Sequence, residues 1–281
     1  ARPINGYLLA DFLTPKFDST STYPAALRDE LYALLGEDYL FDINVGLASY
    51  KNVGVQEMIE KTNKMTAQNV KVINHLLEKE KKWTFLMNVF IGTDRLQHTL
   101  WHHHDESHRN FVKDSEFKNV LKDYYKLLDA EIGKLITKIR QTDPDATFIV
   151  ASDHGFDKMD GRINLNDWLV KEGYLVLKQT PEKPTKLDMA NVDWSKTRAY
   201  AVGAYFGRIF FNKEVVAEKE RERLQTELIT KLSEITDDKG NKLDTIFHRP
   251  QDVYRGGHLA EAPDLYAYFG NLIWGVNNDV G

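Results

Sequence analysis

Two short segments hold the side chains best suited to chemistry: Gly92-Thr93-Asp94-Arg95-Leu96-Gln97-His98 and Ser152-Asp153-His154-Gly155-Phe156. Each supplies one carboxylate and one imidazole. That donor pair suits a hard or borderline divalent cation. Asp94 and His98 stand one helical turn apart and share a face if a helix begins at Asp94. Asp153 and His154 are adjacent, and Gly155 removes the side chain where the backbone must turn beside a ligand. Taken singly, each donor has an ordinary structural use. Asp94 could cap a helix, His98 could be a polar residue over a sheet, and the second pair could be a cap or a hydrogen-bonded pair. Together, each following an apolar run, they point to metal binding. Two cations about 3.5–4 Å apart can clamp the attacking and leaving oxygens of a phosphoryl transfer and lower the pKa of a hydroxyl or water nucleophile. Four donors leave two ions undercoordinated, because a catalytic zinc takes about three protein ligands. Further donors must come from elsewhere. His102, His103, His104 and His108 could line the site, but their polar stretch, 101–110, reads first as an exposed helix end. His258, after Gly256-Gly257, could reach the metals, and His75 reads as structural.

The elements that must position these donors follow from periodicity. Residues 85–91 and 146–151 are apolar runs that read as buried strands, each ending just before an Asp/His pair. Between them lies the clearest helix of the chain, 116–140, where Phe117, Leu121, Tyr124, Leu128, Leu135 and Ile139 recur at helical spacing and Asp143-Pro144 is the stop. Strand, helix and strand in this order make a crossover unit, which implies parallel strands and puts both pairs at one sheet edge. In an open α/β sheet that edge is where ligands bind. Upstream, 27–35 and 55–80 read as helices, with a strand at 39–45 between them. The Lys79-Glu80-Lys81-Lys82 run reads as a solvated helix end. Downstream, 164–172 reads as a short helix and 174–178 as a strand. Residues 179–191 form a surface excursion, and 198–212 form a hairpin or strand pair interrupted by Gly203 and Gly207. A charged helix at 215–235, a turn at 237–240 and a final strand at 265–269 complete the pattern. The expectation is a single α/β domain over 1–281, with a mostly parallel central sheet, helices on both faces and a β-rich excursion at about 179–212.

Composition narrows the function classes. The chain has 281 residues and a net charge of −5, enough material for a sizeable core and no basic footprint for a nucleic-acid duplex. A small anionic substrate stays open, since bound dications would reverse the local potential. No cysteine is present, so disulfides and thiolate sites are excluded, and a cytoplasmic location is the expectation. No apolar run approaches the length of a membrane span. A processed or trimmed chain is also expected, from its first residue Ala1 and its last segment, 278–281.

Asp94-x-x-x-His98 with Gln97, and Ser152-Asp153-His154-Gly155-Phe156, resemble the metal motifs of the alkaline phosphatase superfamily. Within it they are most similar to the type I phosphodiesterase/nucleotide pyrophosphatase group and its phosphohydrolase and phosphomutase relatives. Weaker likenesses extend along most of the chain: Asn5-Gly6 through Leu13-Thr14-Pro15, Thr22-Tyr23-Pro24, Thr197-Arg198-Ala199-Tyr200 with Gly207, and Ala262-Pro263-Asp264-Leu265. The resemblance implies an alkaline phosphatase-like fold and a metal-dependent hydrolase of phosphate esters, a phosphodiesterase, nucleotide pyrophosphatase or phosphatase. It implies two divalent ions, zinc first and manganese as the alternative. Asp94 and His98 would be ligands of one ion, Asp153 and His154 of the other. The substrate would be a small phosphate ester or nucleotide, with no membrane partner.

The family pattern also predicts a first aspartate and a Thr or Ser nucleophile in a segment ending Gly-x-x-Pro-x-x-His-Gly, and nothing here matches it. Thr20, Ser21 and Thr22 read as an ordinary polar loop. The family's last metal histidine normally lies further beyond the Pro-Asp-Leu strand than this chain runs. The resemblance therefore implies a central fragment of a longer enzyme, inactive alone, with an exposed sheet edge through which it could oligomerise. A phosphomutase with a serine nucleophile and a non-catalytic metal-binding protein share the same four donors. A dinucleotide oxidoreductase is disfavoured, because no Gly-x-Gly-x-x-Gly follows an expected strand. All-helical His-Asp phosphohydrolases are disfavoured as well, because both pairs follow strands.

Overall fold

The helical periodicity of the first half of the chain is met closely. The structure is a computed structural model and describes residues 5–10, 17, 18, 20–36, 39, 40, 42 and 54–281. The chain divides into two compact units, Ala1–Phe156 and Asp157–Gly281. In the first, a short antiparallel pair, β1 (Leu8–Leu9) and β2 (Thr22–Tyr23), precedes α1 (Leu27–Leu35). Leu27 and Leu31 of α1 pack on Val72 of α2 (Val55–Lys79). Next come α3 (Gly92–Leu100), a 3-10 turn at Trp101–His103 and α4 (Val120–Thr142). The helix α4 ends just before Asp143-Pro144, as the stop signal requires.

The apolar stripes of α2, α3 and α4 face one another. Met58, Leu96, Leu100, Leu121, Tyr124 and Leu128 form one cluster, and Ile73, Leu77, Leu135 and Ile139 form a second. Burying each such side chain contributes roughly 1.5–3 kcal/mol, so α3 is held by packing rather than by its short length. Gly92 is where the contact is closest. A Cβ there would lie 2.6 Å from Tyr124 Cζ and 2.7 Å from Thr62 Cγ2, so only glycine lets α3 start this near α2 and α4.

The strands expected at 85–91 and 146–151 are not formed. Both runs lie outside any helix or strand and have no ladder partner among the described residues. Phe90, Ala146 and Phe148 pack on the α2/α4 cluster, but Ile149 and Val150 are 85% and 83% exposed. β-type composition specifies a segment that fits a sheet, yet a ladder exists only where a neighbouring backbone supplies donors and acceptors. The crossover geometry and the parallel central sheet inferred from these runs are therefore absent from the described residues. The strand expected at 39–45 lies outside them, apart from residues 39, 40 and 42.

The second unit is built on antiparallel pairing. It begins with β3 (Gly161–Asn164) and α5 (Leu165–Lys171), followed by β4 (Thr185–Lys186), β5 (Ala199–Gly203), β6 (Gly207–Phe211), α6 (Glu218–Leu232) and β7 (Ile246–His248). The single turn α7 (Pro250–Val253), β8 (Leu265–Tyr268), β9 (Trp274–Asn277) and β10 (Asp279–Val280) follow. The order β5-β6-β8-β7 forms a four-stranded antiparallel sheet, with Ala199 opposite Phe211 and Ile209 opposite Leu265. Alternation sends Ala199, Ala201, Ile209 and Phe211 into a core shared with Leu165 and Leu169 of α5 and Leu224, Leu228 and Leu232 of α6. The expected hairpin across 198–212 is thus present as β5 and β6. Residues 174–178 contribute only an isolated bridge, Leu177 to Val192. The parallel pairing among the described residues is β3 with β9, and β10 pairs antiparallel with β4.

Candidate metal centre

Asp94 lies in the first turn of α3 and His98 one turn later, because Leu96 and Leu100 must face the core and so turn the intervening positions outward. His98 Nε2 stands 3.3 Å from Asp94 Oδ1, and both side chains are 20% exposed. Asp94 does not cap the helix. Its other oxygen, Oδ2, accepts a hydrogen bond from Arg95 Nη1 at 2.8 Å. Burial lowers the His98 pKa, and the Asp94 carboxylate offsets part of that effect. A lowered pKa favours the neutral imidazole, the form that can ligate a cation.

The second pair is open to solvent. His154 Nε2 is 3.5 Å from Asp153 Oδ2, with the side chains 57% and 88% exposed respectively. His154 Nδ1 donates to Gly155 O at 2.8 Å, which assigns its proton because a carbonyl can only accept. Nε2 faces Asp153 and is the nitrogen that would coordinate an ion once it gives up its proton. This hydrogen bond is the main cause of a raised His154 pKa, to which Asp153 and Asp94 also contribute.

The two motifs converge through an aromatic contact. The Phe156 ring stands edge-on to His98 with centroids 4.8 Å apart, and lies 5.1 Å from the Trp101 ring. The charge of His154 also helps to lower the His98 pKa.

The donor chemistry and the separation within each pair fit a cation. Two ligands at about 2.1 Å from one ion lie roughly 3.0 Å apart in an octahedral shell and about 3.4 Å apart in a tetrahedral one, and the measured 3.3 and 3.5 Å match one edge of such a shell. The coordination number is not reached by these residues alone. Among the described residues no three His, Asp or Glu side chains converge.

The remaining histidines have other partners. His103 is buried, shares a 2.7 Å hydrogen bond with Ser115 Oγ, and its ring lies 4.1 Å from that of His102. The His102 ring is in turn 6.0 Å from that of His108. His104 meets the Trp101 ring edge-on. His75 pairs with Glu30 at 3.3 Å, the structural use expected of it. His258, in the second unit, is exposed and pairs with Glu261. Thr20 Oγ1 bonds Asp18, a local contact of a polar loop, whereas Thr22 lies in β2 and its Oγ1 bonds Ala25 O.

Two participants were not picked out from sequence. Asp42 takes a fork from Arg95, with Nε to Oδ1 at 2.9 Å and Nη2 to Oδ2 at 2.7 Å. The only hint in the sequence was a carboxylate within an otherwise β-type run. Phe156 was visible as part of its motif, but its place against His98 was not.

A family model described as type I phosphodiesterase / nucleotide pyrophosphatase matches residues 14–278. No curated protein and no solved structure matches the chain.

Proposed function

We propose that this chain, which belongs to the type I phosphodiesterase/nucleotide pyrophosphatase family within the alkaline phosphatase superfamily, provides the cation-binding donors of a metal-dependent hydrolase of phosphate esters. The observation that carries this reading is the convergence of the motifs, with Phe156 of the second seated on His98 of the first. Asp94 and His98 would hold one divalent ion, Asp153 and His154 the other. Zinc is the first expectation and manganese the second, on the borderline character of a mixed carboxylate and imidazole set. Bound there, such ions polarise a phosphoryl oxygen and lower the pKa of an attacking hydroxyl or water.

The chain's own residues prepare for this. Burial favours the neutral form of His98, whose Nε2 stands beside Asp94 Oδ1. The Gly155 carbonyl holds a His154 proton on Nδ1 and turns Nε2 toward Asp153. Arg95 occupies one Asp94 oxygen and leaves the other facing His98. The Phe156 ring covers one flank of His98, and the Trp101 ring packs on Phe156. A small phosphate ester or nucleotide is the substrate class that two dications recognise, and the net charge of −5 gives no basic surface for a duplex.

The test is calorimetric titration of the metal-free protein with Zn²⁺ and Mn²⁺, alongside Asp94→Asn and Asp153→Asn, with hydrolysis of bis(4-nitrophenyl) phosphate followed in the same samples. Binding that each substitution weakens, with any hydrolysis dependent on the added ion, supports the proposal. Wild-type protein that binds neither ion refutes it.

A further inference from the structure

The two pairs of donors differ in how they are held before any ion arrives. Asp153 and His154 are exposed, and their side chains make local contacts, with each other and with Gly155 O. Asp94 is tied to Arg95, and Arg95 grips Asp42 with a two-point fork, these two side chains being 15% and 10% exposed. The helix sets Arg95 in register with Asp94, while Asp42 belongs to a distant stretch of sequence. The chain Asp42–Arg95–Asp94–His98 therefore fixes the carboxylate from outside its own helix. A planar guanidinium can satisfy both carboxylates at once, which a lysine ammonium cannot do with the same geometry. Donors already in their bound rotamers lose little freedom on binding, whereas exposed donors must be ordered by the ion itself.

We propose that Arg95, anchored by Asp42, is a positioning residue that sets Asp94 for cation binding, so that the Asp94/His98 pair loads before the Asp153/His154 pair. This rests on the metal-binding reading of both pairs. Arg95 is itself a cation beside the site, which makes the claim sharp. If its charge were all that mattered, its removal would strengthen cation binding. Positioning requires the opposite sign.

Mn²⁺ titration of metal-free protein, read by the loss of the free Mn²⁺ electron paramagnetic resonance signal, separates the two. Wild-type protein should show a tighter and a weaker event, and Asp94→Asn should lose the tighter one. Arg95→Met should weaken the tighter event about 10- to 100-fold, the usual effect of removing a residue that orients a ligand, and leave the weaker one unchanged. Arg95→Lys should stay weakened, because it keeps the charge and gives up the fork. The pair Asp42→Asn with Arg95→Gln removes both charges together, avoids stranding a half-buried carboxylate, and should still weaken the tighter event about tenfold. The unchanged weaker event serves as the check on folding.

Tighter or unaltered Mn²⁺ binding in Arg95→Met and in the neutral double variant overturns the positioning role, as does full recovery in Arg95→Lys. Wild-type binding that Asp94→Asn leaves intact instead overturns the metal reading beneath it.

Discussion

Gly92→Ala should disturb the site from beneath. Gly92 opens α3, two residues before Asp94, and is buried against α2 and α4. An added Cβ would fall inside Tyr124 Oη and lie 2.6 Å from Tyr124 Cζ and 2.7 Å from Thr62 Cγ2. Ordinary carbon contacts are about 3.5–4.0 Å, so the neighbours must yield by about 1 Å. Tyr124 cannot swing away freely, because its hydroxyl shares a 2.7 Å hydrogen bond with Thr66 Oγ1 inside the core. Overpacking of this kind costs about 1–3 kcal/mol, and losing the buried hydrogen bond adds about 1 kcal/mol. The sum of about 2–4 kcal/mol corresponds to a fall of very roughly 5–15 °C in Tm for a unit of this size. Displacing the first turn of α3 by about 1 Å also moves Asp94, and positional errors of that size cost up to about 100-fold where donor geometry matters. Urea unfolding read by near-ultraviolet circular dichroism gives the first quantity, and Mn²⁺ titration the second. Tyr124→Phe in the same background should recover part of the stability, since it removes the atom most deeply overlapped. A Gly92→Ala protein within 0.5 kcal/mol of wild type would falsify the close approach of α3.

Ile149→Ser and Val150→Ser should each change stability by no more than about 0.5 kcal/mol, as expected for exposed positions, whereas Leu96→Ala at a fully buried site should cost about 2–5 kcal/mol. A loss above about 2 kcal/mol at residue 149 or 150 would show instead that the run is buried in a sheet. Asp264→Asn should destabilise the second unit by about 2–4 kcal/mol, because the buried carboxylate accepts from Phe211 N and pairs with Arg221; a change below about 1 kcal/mol in urea unfolding would refute that role. The first unit should also lose stability as pH falls below about 6.5, the ordinary His value. Burial lowers the folded pKa of His102 and His103. Between the folded and unfolded values the unfolded chain binds more protons, so stability rises with pH through that window and is lost on acidification. The groups facing these rings are His108, Ser115 and Phe117, and none is a carboxylate that would reverse the sign. His103→Asn should flatten the dependence measured by melting from pH 7.5 to 5, and an unchanged slope would refute the assignment.

The helices were legible in the sequence because a helix satisfies its own backbone. The stripe Leu121, Tyr124, Leu128, Leu135 and Ile139 defined α4, and the Asp143-Pro144 stop matches its end at Thr142. The hairpin across 199–211 was legible for a similar local reason, with alternation over two short runs joined by a short turn. Residues 85–91 and 146–151 carry equally strong β-type composition, yet a strand depends on a neighbour that composition cannot name. That they join no ladder among the described residues was therefore beyond any local pattern.

The site divides along the same line. The sequence by itself offered the side chains proposed as cation donors, since Asp94, His98, Asp153 and His154 follow from residue type and local spacing. Their spacing put Asp94 and His98 on one face on condition that a helix runs through them, as α3 does. Only the tertiary structure decided that Phe156 rests on His98, that Arg95 ties Asp94 to Asp42, and that one pair is sheltered while the other stands in solvent. The physical reason is that donor identity is a property of single residues, whereas preorganisation depends on contacts between segments far apart in the chain.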